Sequence, residues 1–130
     1  MPSDLPATEA VRNVTFSTSK VAIASTPDEV TLSVSGELDM ADADQVGEIL
    51  AQAASTGRAI VRVDLSAVTF ADSSAIKALL LGAKTAEANG VEYELVNAHG
   101  SVQRLLAITG LTDALNVVSE PDEREGPNSL

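Results

Sequence analysis

The chain has 130 residues, of which 45% are hydrophobic and only 2% aromatic, so it can build the aliphatic core of one domain and wholesale disorder is disfavoured. Its formal net charge of -11 repels phosphate groups and anionic lipid headgroups, which disfavours nucleic acids and membrane surfaces as partners. The absence of cysteine excludes disulfides, thiolate chemistry and zinc sites with sulfur ligands.

Both ends of the chain have the composition of tails. Residues 1–12 and 120–130 are polar, contain proline and lack any period, so we predict flexible tails around one domain at 13–119. The opening segment MPSDLPATEA lacks the basic region and apolar core of a signal peptide. The longest apolar stretch contains Lys77 and is too short to span a bilayer. We therefore expect a cytoplasmic protein.

The first part of the domain has the two-residue period of strands. FSTSKVAIAS alternates around Val21 and Ile23, and a turn containing Pro27 follows. EVTLSVSGEL then alternates between apolar residues, such as Val30 and Leu32, and hydroxyl residues. The two segments predict a β-hairpin at the N-terminus of the domain.

From Met40 the period changes to that of a helix. Apolar residues at helical spacing run from Val46 to Ala53, and acidic residues at the start suit the positive end of the helix dipole. The acidic side chains of this segment are predicted to face solvent: Asp42, Asp44 and Glu48. Together with Asp39 they match no calcium-binding loop, so we expect no metal site there.

The second half alternates single strands with single helices. Strands are predicted at 59–65, 91–96 and 115–118, the first of them buried and central. One helix is predicted to end at Asn89-Gly90, and another to be capped by Ser101 and closed by Gly110. This order implies parallel pairing through right-handed crossovers. The predicted fold is α/β, a mixed β-sheet with an N-terminal hairpin and helices packed mainly on one face.

The candidate site lies in VDLSAVTFADSSAIKALLLG (63–82). A strand is predicted to end at Leu65, and after a loop Asp72, Ser73 and Ser74 stand where a helix begins. Backbone N–H groups at a helix start point outward without partners, so this position suits hydroxyls, carboxylates and phosphate. Taken alone, this pattern favours an ordinary N-cap at Asp72 or Ser73, a role that these residues commonly fill.

Three segments together resemble the STAS (sulphate transporter and anti-sigma factor antagonist) family. The run DSS at 72–74 is similar to the start of D-S-[ST]-G-L-G, and SGELD at 35–39 to T-G-E-L-D. SVQRLLAITGL at 101–111 resembles V-x-R-L-[FL]-x-x-[ST]-G-L. The segments occur in the right order and cover roughly residues 14–118. The resemblance implies a single STAS-like domain.

In the antagonists of this family, the serine after the aspartate is phosphorylated. The unphosphorylated protein binds an anti-sigma factor that is also a serine kinase, which releases a sigma factor. The resemblance therefore implies that Ser73 is the phospho-acceptor, with Ser74 as the second candidate. The implied partner-binding residues are Asp39, Asp72, Ser73, Ser74 and Lys77. No catalytic residue, cofactor or metal is implied, and a phosphatase remains open as a further partner.

The chain departs from the family pattern immediately after the candidate serine. Ala75, Ile76 and Lys77 stand where the family has Gly-Leu-Gly. A helix tolerates the change, but Lys77 adds length and charge beside Ser73, so we expect partner choice to differ. Two other functions remain open. One is a non-switching STAS subunit of a transport complex; the other is a small-ligand or nucleotide-binding domain, which the lack of a glycine-rich loop disfavours.

Overall fold

A six-stranded mixed β-sheet and three helices make up residues 10–111, 115 and 117–118, which the computed structural model describes. The strands are β1 (Ala10–Thr15), β2 (Ser19–Ser25), β3 (Glu29–Leu38), β4 (Ile60–Ala71), β5 (Glu92–Val96) and β6 (Val117–Val118). The helices are α1 (Ala43–Ala53), α2 (Ser73–Asn89) and α3 (Gly100–Thr109). No helix in this part of the chain is both long and apolar enough to cross a membrane.

The strands lie in the sheet in the same order as in the chain. β1, β2 and β3 pair antiparallel, whereas β3, β4, β5 and β6 pair parallel. Antiparallel strands can be joined by tight turns, but parallel strands need long crossovers, and one helix lies in each of the three here. The predicted N-terminal hairpin, the parallel second half and the α/β fold class are confirmed.

The helices cover mainly one face of the sheet. Alternate residues of β4 from Val61 to Leu65 are fully buried on the helix side. On the opposite face, the guanidinium of Arg62 bonds the carboxylates of Glu29 at 2.7 Å and Glu94 at 3.0 Å. These hydrogen bonds raise the pKa of Arg62. One face of the sheet is therefore the core under the helices, as predicted, and the other carries the partly exposed charges of this cluster.

Small residues allow α2 to pack closely against α1 and β5. A Cβ atom on Gly47 of α1 would lie 3.2 Å from the Cα of Ala78, and one on Gly82 would lie 2.5 Å from the hydroxyl oxygen of Tyr93. That hydroxyl donates a 3.0 Å hydrogen bond to the carbonyl of Leu79, and burial raises the pKa of Tyr93. Since α2 is fixed on two sides, the position of its N-terminus is fixed as well.

β4 runs on to Ala71, whereas the sequence predicted its end at Leu65 followed by a loop. Its pairing with β3 shifts register between Ser33 and Ser35 and again beyond Gly36. Such irregularities bend a strand and break the two-residue alternation by which strands are recognised. The extension carries the chain directly to the start of α2.

β1 begins at Ala10, so residues 10–12, predicted to belong to the N-terminal tail, form a strand paired with β2. As an edge strand it lacks the clean apolar alternation of β3, so no two-residue period marks it in the sequence. Residues 1–9 and 119–130 lie outside the described residues. That residues 1–9 and 120–130 form flexible tails therefore stays a prediction.

Candidate functional site

Asp72 caps the N-terminus of α2. Its backbone is extended (φ -116°, ψ -170°), and Oδ1 accepts a hydrogen bond from the Ser74 hydroxyl and a 2.9 Å bond from the Ser74 N–H. The bond from the Ser74 hydroxyl, aided by neighbouring backbone N–H groups, lowers the pKa of Asp72 below its ordinary value. Of the two caps that the sequence left open, the structure uses Asp72 and not Ser73.

Ser73 is the first residue of α2, and its side chain is exposed. Among the residues that the structure describes, the Ser73 hydroxyl has no hydrogen-bond partner. Lys77, also exposed, lies one helical turn further along the same side of α2. The result is an accessible hydroxyl at the positive end of a helix, where a phosphate group would be tolerated.

The end of β3 and the loop that follows it lie against Asp72. The Asp72 N–H donates to the carbonyl of Leu38 at 3.4 Å, and the backbone of Met40 contributes to the lowered pKa of Asp72. Asp39 lies between these two contacts, and its Oδ1 accepts a 3.0 Å hydrogen bond from the Ala41 N–H. The structure thus brings the loop of Asp39 against the start of α2, with the Asp39 carboxylate bonded within its own loop.

Asp42 is a buried charge beneath this loop, with only 1% of its surface exposed. Its Oδ2 accepts bonds from the Thr18 N–H at 2.8 Å, the Thr18 hydroxyl at 3.1 Å and the Ser19 hydroxyl at 2.8 Å. Its Oδ1 accepts a 3.3 Å bond from the Ser17 N–H. Burial raises the pKa of Asp42, but these hydrogen bonds outweigh it and hold the pKa below its usual range. The prediction that Asp42 faces solvent is wrong: it ties the start of α1 to the β1–β2 turn.

Gly36 brings the same turn against the end of β3. A Cβ atom at Gly36 would lie 2.4 Å from the carbonyl oxygen of Thr18, and the φ of Gly36 is +88°. Both facts require glycine there. The Thr18 carbonyl also accepts a 2.9 Å bond from the Glu37 N–H. Gly36 lies before the loop that contacts Asp72, and Asp42 lies after it. Both contact the β1–β2 turn, so the two ends of this loop are anchored to the same turn.

α3 is anchored to the end of β4 beside the site. The Ser101 hydroxyl oxygen accepts a 3.1 Å bond from the Ala71 N–H, so the predicted capping role of Ser101 is wrong. The N-cap of α3 is His99, which makes no capping bond with its side chain; its Nε2 donates to the carbonyl of Ser66 at 2.8 Å. Within the described residues, no group of three or more histidine, aspartate or glutamate side chains could hold a metal ion.

Two exposed apolar side chains next to Asp72 were not identified from the sequence. Met40 is 77% exposed, and its backbone contributes to the lowered pKa of Asp72. Phe70 is 46% exposed and precedes Asp72 by two residues in the chain. Aromatic residues and methionine are enriched where proteins contact one another. In the sequence, the only sign of these two residues is their position: Met40 follows SGELD, and Phe70 lies just before DSS. Neither belongs to a motif or a periodic pattern that would single it out.

A family model described as "Mlab, STAS domain" matches residues 21–119, most of the chain. The chain belongs to the STAS domain family. The anti-sigma-B factor antagonist of Listeria monocytogenes is 28% identical to this STAS domain over 102 residues, which are 78% of this chain and 90% of the relative. The anti-sigma-B factor antagonist of Listeria innocua gives the same values.

Solved structures share the fold of this STAS domain. An anti-sigma factor antagonist from Mycobacterium paratuberculosis has a TM-score of 0.67 at 24% identity, covering 77% of this chain and 85% of that one. The anti-sigma factor antagonist SpoIIAA in its unphosphorylated form has a TM-score of 0.64 at 18% identity, covering 93% and 98%. At these identities the likeness establishes the fold alone.

Proposed function

We propose that this STAS domain is an anti-sigma factor antagonist, a binding protein without enzyme activity that captures an anti-sigma factor and thereby frees a sigma factor in the cytoplasm. The Listeria antagonists support the proposal, because the similarity covers 90% of their length. The observation that carries it is the exposed hydroxyl of Ser73 at the start of α2, which has no hydrogen-bond partner within the described part of the chain. The acidic balance of the chain favours an electropositive protein as partner.

In this proposal, phosphorylation of Ser73 ends the binding, and the anti-sigma factor is itself the serine kinase. A phosphate adds about -1.5 to -2 charges at neutral pH. The N-terminus of α2 tolerates that charge, so the domain stays folded. The partner, by contrast, meets a bulky anion beside the Asp72 carboxylate. Release follows from steric and charge conflict across the interface, and a phosphatase would restore binding.

The experiment is to map the phosphate. Incubation with ATP and an anti-sigma kinase that binds the chain should add one phosphate, located at Ser73 by peptide mass spectrometry. Ser73→Ala should accept none. Ser74→Ala should still accept one, since the Ser74 hydroxyl is bonded to Asp72 and not offered to solvent in the same way. A phosphate on Ser74, or none on a chain bound by its kinase, contradicts the proposed switch.

Met40 and Phe70 are proposed as apolar anchors for the anti-sigma partner, because both are exposed next to Asp72. Buried aromatic and other large side chains often dominate binding, so Met40→Ala and Phe70→Ala should each weaken affinity by roughly tenfold. The control is Ile108→Ala, since Ile108 on α3 is 72% exposed. Measured by titration calorimetry, the affinity of Ile108→Ala for the anti-sigma partner should be within a factor of about two of that of the parent chain. Equal losses in all three variants would mean that exposed apolar area, and not this location, decides binding.

The description of the matching family model favours a second candidate. That model is described as the STAS domain of Mlab and not of an antagonist. In this alternative the chain is a non-switching subunit of a transport complex, and the Ser73 hydroxyl takes no part in regulation. Affinity capture from native lysate distinguishes the two: the antagonist retains a kinase-like anti-sigma factor, whereas the subunit retains a transporter ATPase.

A further inference from the structure

A groove lies between α1 and the helix-facing side of β1, β2 and β3, at the end of the sheet away from Ser73. Its volume is about 310 Å³, within the range of small-molecule pockets. The residues that line it are Arg12, Ile23, Ser25, Val30, Leu32, Ile49, Gln52, Ala53, Thr56 and Arg58. Val30 and Leu32 are near the start of β3, and the loop that contacts Asp72 follows its other end at Leu38. Since a strand advances about 3.3 Å per residue, the two sites lie roughly 20 Å apart.

The floor of the groove is aliphatic. Leu32 is completely buried and Val30 nearly so, while Ile23 and Ile49 are partly buried and pack against the core. No aromatic residue lines it, and its polar residues include the exposed Gln52 of α1. The accessible apolar surface is that of Ile23 and Ile49, against which a flexible hydrocarbon chain can bury its own surface.

Two arginines line the same groove. Arg58 is held in place by a 2.8 Å hydrogen bond from its Nε to the carbonyl of Thr26, and Arg12 is exposed on β1. The whole chain has only 8 lysines and arginines against 19 acidic residues. Arg12 therefore places a positive charge beside the groove in a chain of opposite overall charge, and a guanidinium group pairs well with carboxylate or phosphate.

We propose that this groove binds a single medium-length acyl chain with an anionic head, a free fatty acid or an alkyl phosphate. The hydrocarbon lies on Ile23 and Ile49, and Arg12 meets the head. The site is separate from the proposed partner surface, so the inference does not depend on the antagonist role. Neither failure nor success of the Ser73 experiments bears on it.

The test uses the full chain labelled at its five isoleucine δ1-methyl groups. Sodium dodecanoate, kept below its critical micelle concentration, should shift the methyl signals of Ile23 and Ile49 saturably. Ile76 and Ile108 do not line the groove and serve as internal controls. Dodecyl phosphate should shift the same signals. The ligand with the lower dissociation constant then shows whether the site prefers a carboxylate or a phosphate head. Dodecyltrimethylammonium has the same tail with a cationic head and should bind much more weakly.

Substitutions at two exposed arginines test the head contact. Arg12→Gln should weaken dodecanoate binding by about tenfold, since it removes a charge-assisted hydrogen bond. Arg104→Gln removes the same charge from the exposed face of α3 and should leave the affinity unchanged. Equal binding of the cationic amphiphile, or shifts that do not saturate or that appear equally at Ile108, would overturn the proposal. A further outcome would also overturn it. If Leu5→Ser shifts the Ile23 and Ile49 methyl signals in the absence of ligand, the N-terminal segment of the chain itself occupies the groove.

Discussion

Ser73→Asp is expected to weaken binding of the anti-sigma partner by about a hundredfold, whereas Ser73→Ala should change it by less than about threefold. The aspartate places a fixed charge where the partner docks, next to the Asp72 carboxylate. Both variants should match the parent in stability. Asp72, not Ser73, makes the capping bond, so alanine loses no cap, and a carboxylate suits the start of a helix.

The measurement is titration calorimetry on variants whose thermal midpoints have been compared first. Asn13→Asp is the charge control, because Asn13 is exposed on the edge strand β1 and adds the same charge far from α2. It should bind like the parent chain. Equal affinity of Ser73→Ala and Ser73→Asp, with both folded, would assign the chain to the non-switching alternative.

Asp42→Asn should be the most destabilising of the conservative substitutions, lowering the free energy of unfolding by roughly 2–4 kcal/mol. An amide has one acceptor oxygen, so its NH2 group would face donors from the β1–β2 turn that the carboxylate now satisfies. The thermal midpoint should fall by on the order of 10 °C. Asp44→Asn is the matched control, since Asp44 lies in the exposed first turn of α1 and should cost less than about 1 kcal/mol.

The difference between Asp42→Asn and the parent chain should depend on pH. The folded-state pKa of Asp42 is lowered, so its stabilisation is fully present above the pKa of an unfolded aspartate, about 3.9. It is lost as the pH falls through the lower folded-state value. Denaturant titrations at neutral and strongly acidic pH should therefore converge for the two proteins in acid. A constant difference across that range would mean that Asp42 stabilises by packing and not by charge.

The elements with a regular period were predictable. The alternation of β3 and the helical spacing of α2 placed both elements, and Gly90 marked the end of α2, where it takes a left-handed conformation. In each case a repeated local pattern carries the information, because one face of the element is buried and the other is not.

The contacts that shape the site were not predictable in the same way. An acidic residue at a helix start is usually solvated, and nothing local reveals that Asp42 is covered by a turn 23 to 25 positions earlier in the chain. Ser101 likewise has the composition of a cap, but its hydroxyl is bonded to Ala71, 30 positions away. Such pairings depend on how elements meet in space, and a single sequence carries no period that reports them.

The tight packing of Gly82 against Tyr93 also gives the chain a spectroscopic reporter. Tyr93 is its only tyrosine, and there is no tryptophan, so the near-ultraviolet fluorescence of the protein arises almost wholly from one ring. That ring is buried between α2 and β5 with its hydroxyl on the Leu79 carbonyl. Its signal is therefore a direct optical readout of whether α2, and with it the Ser73 surface, is seated on the sheet.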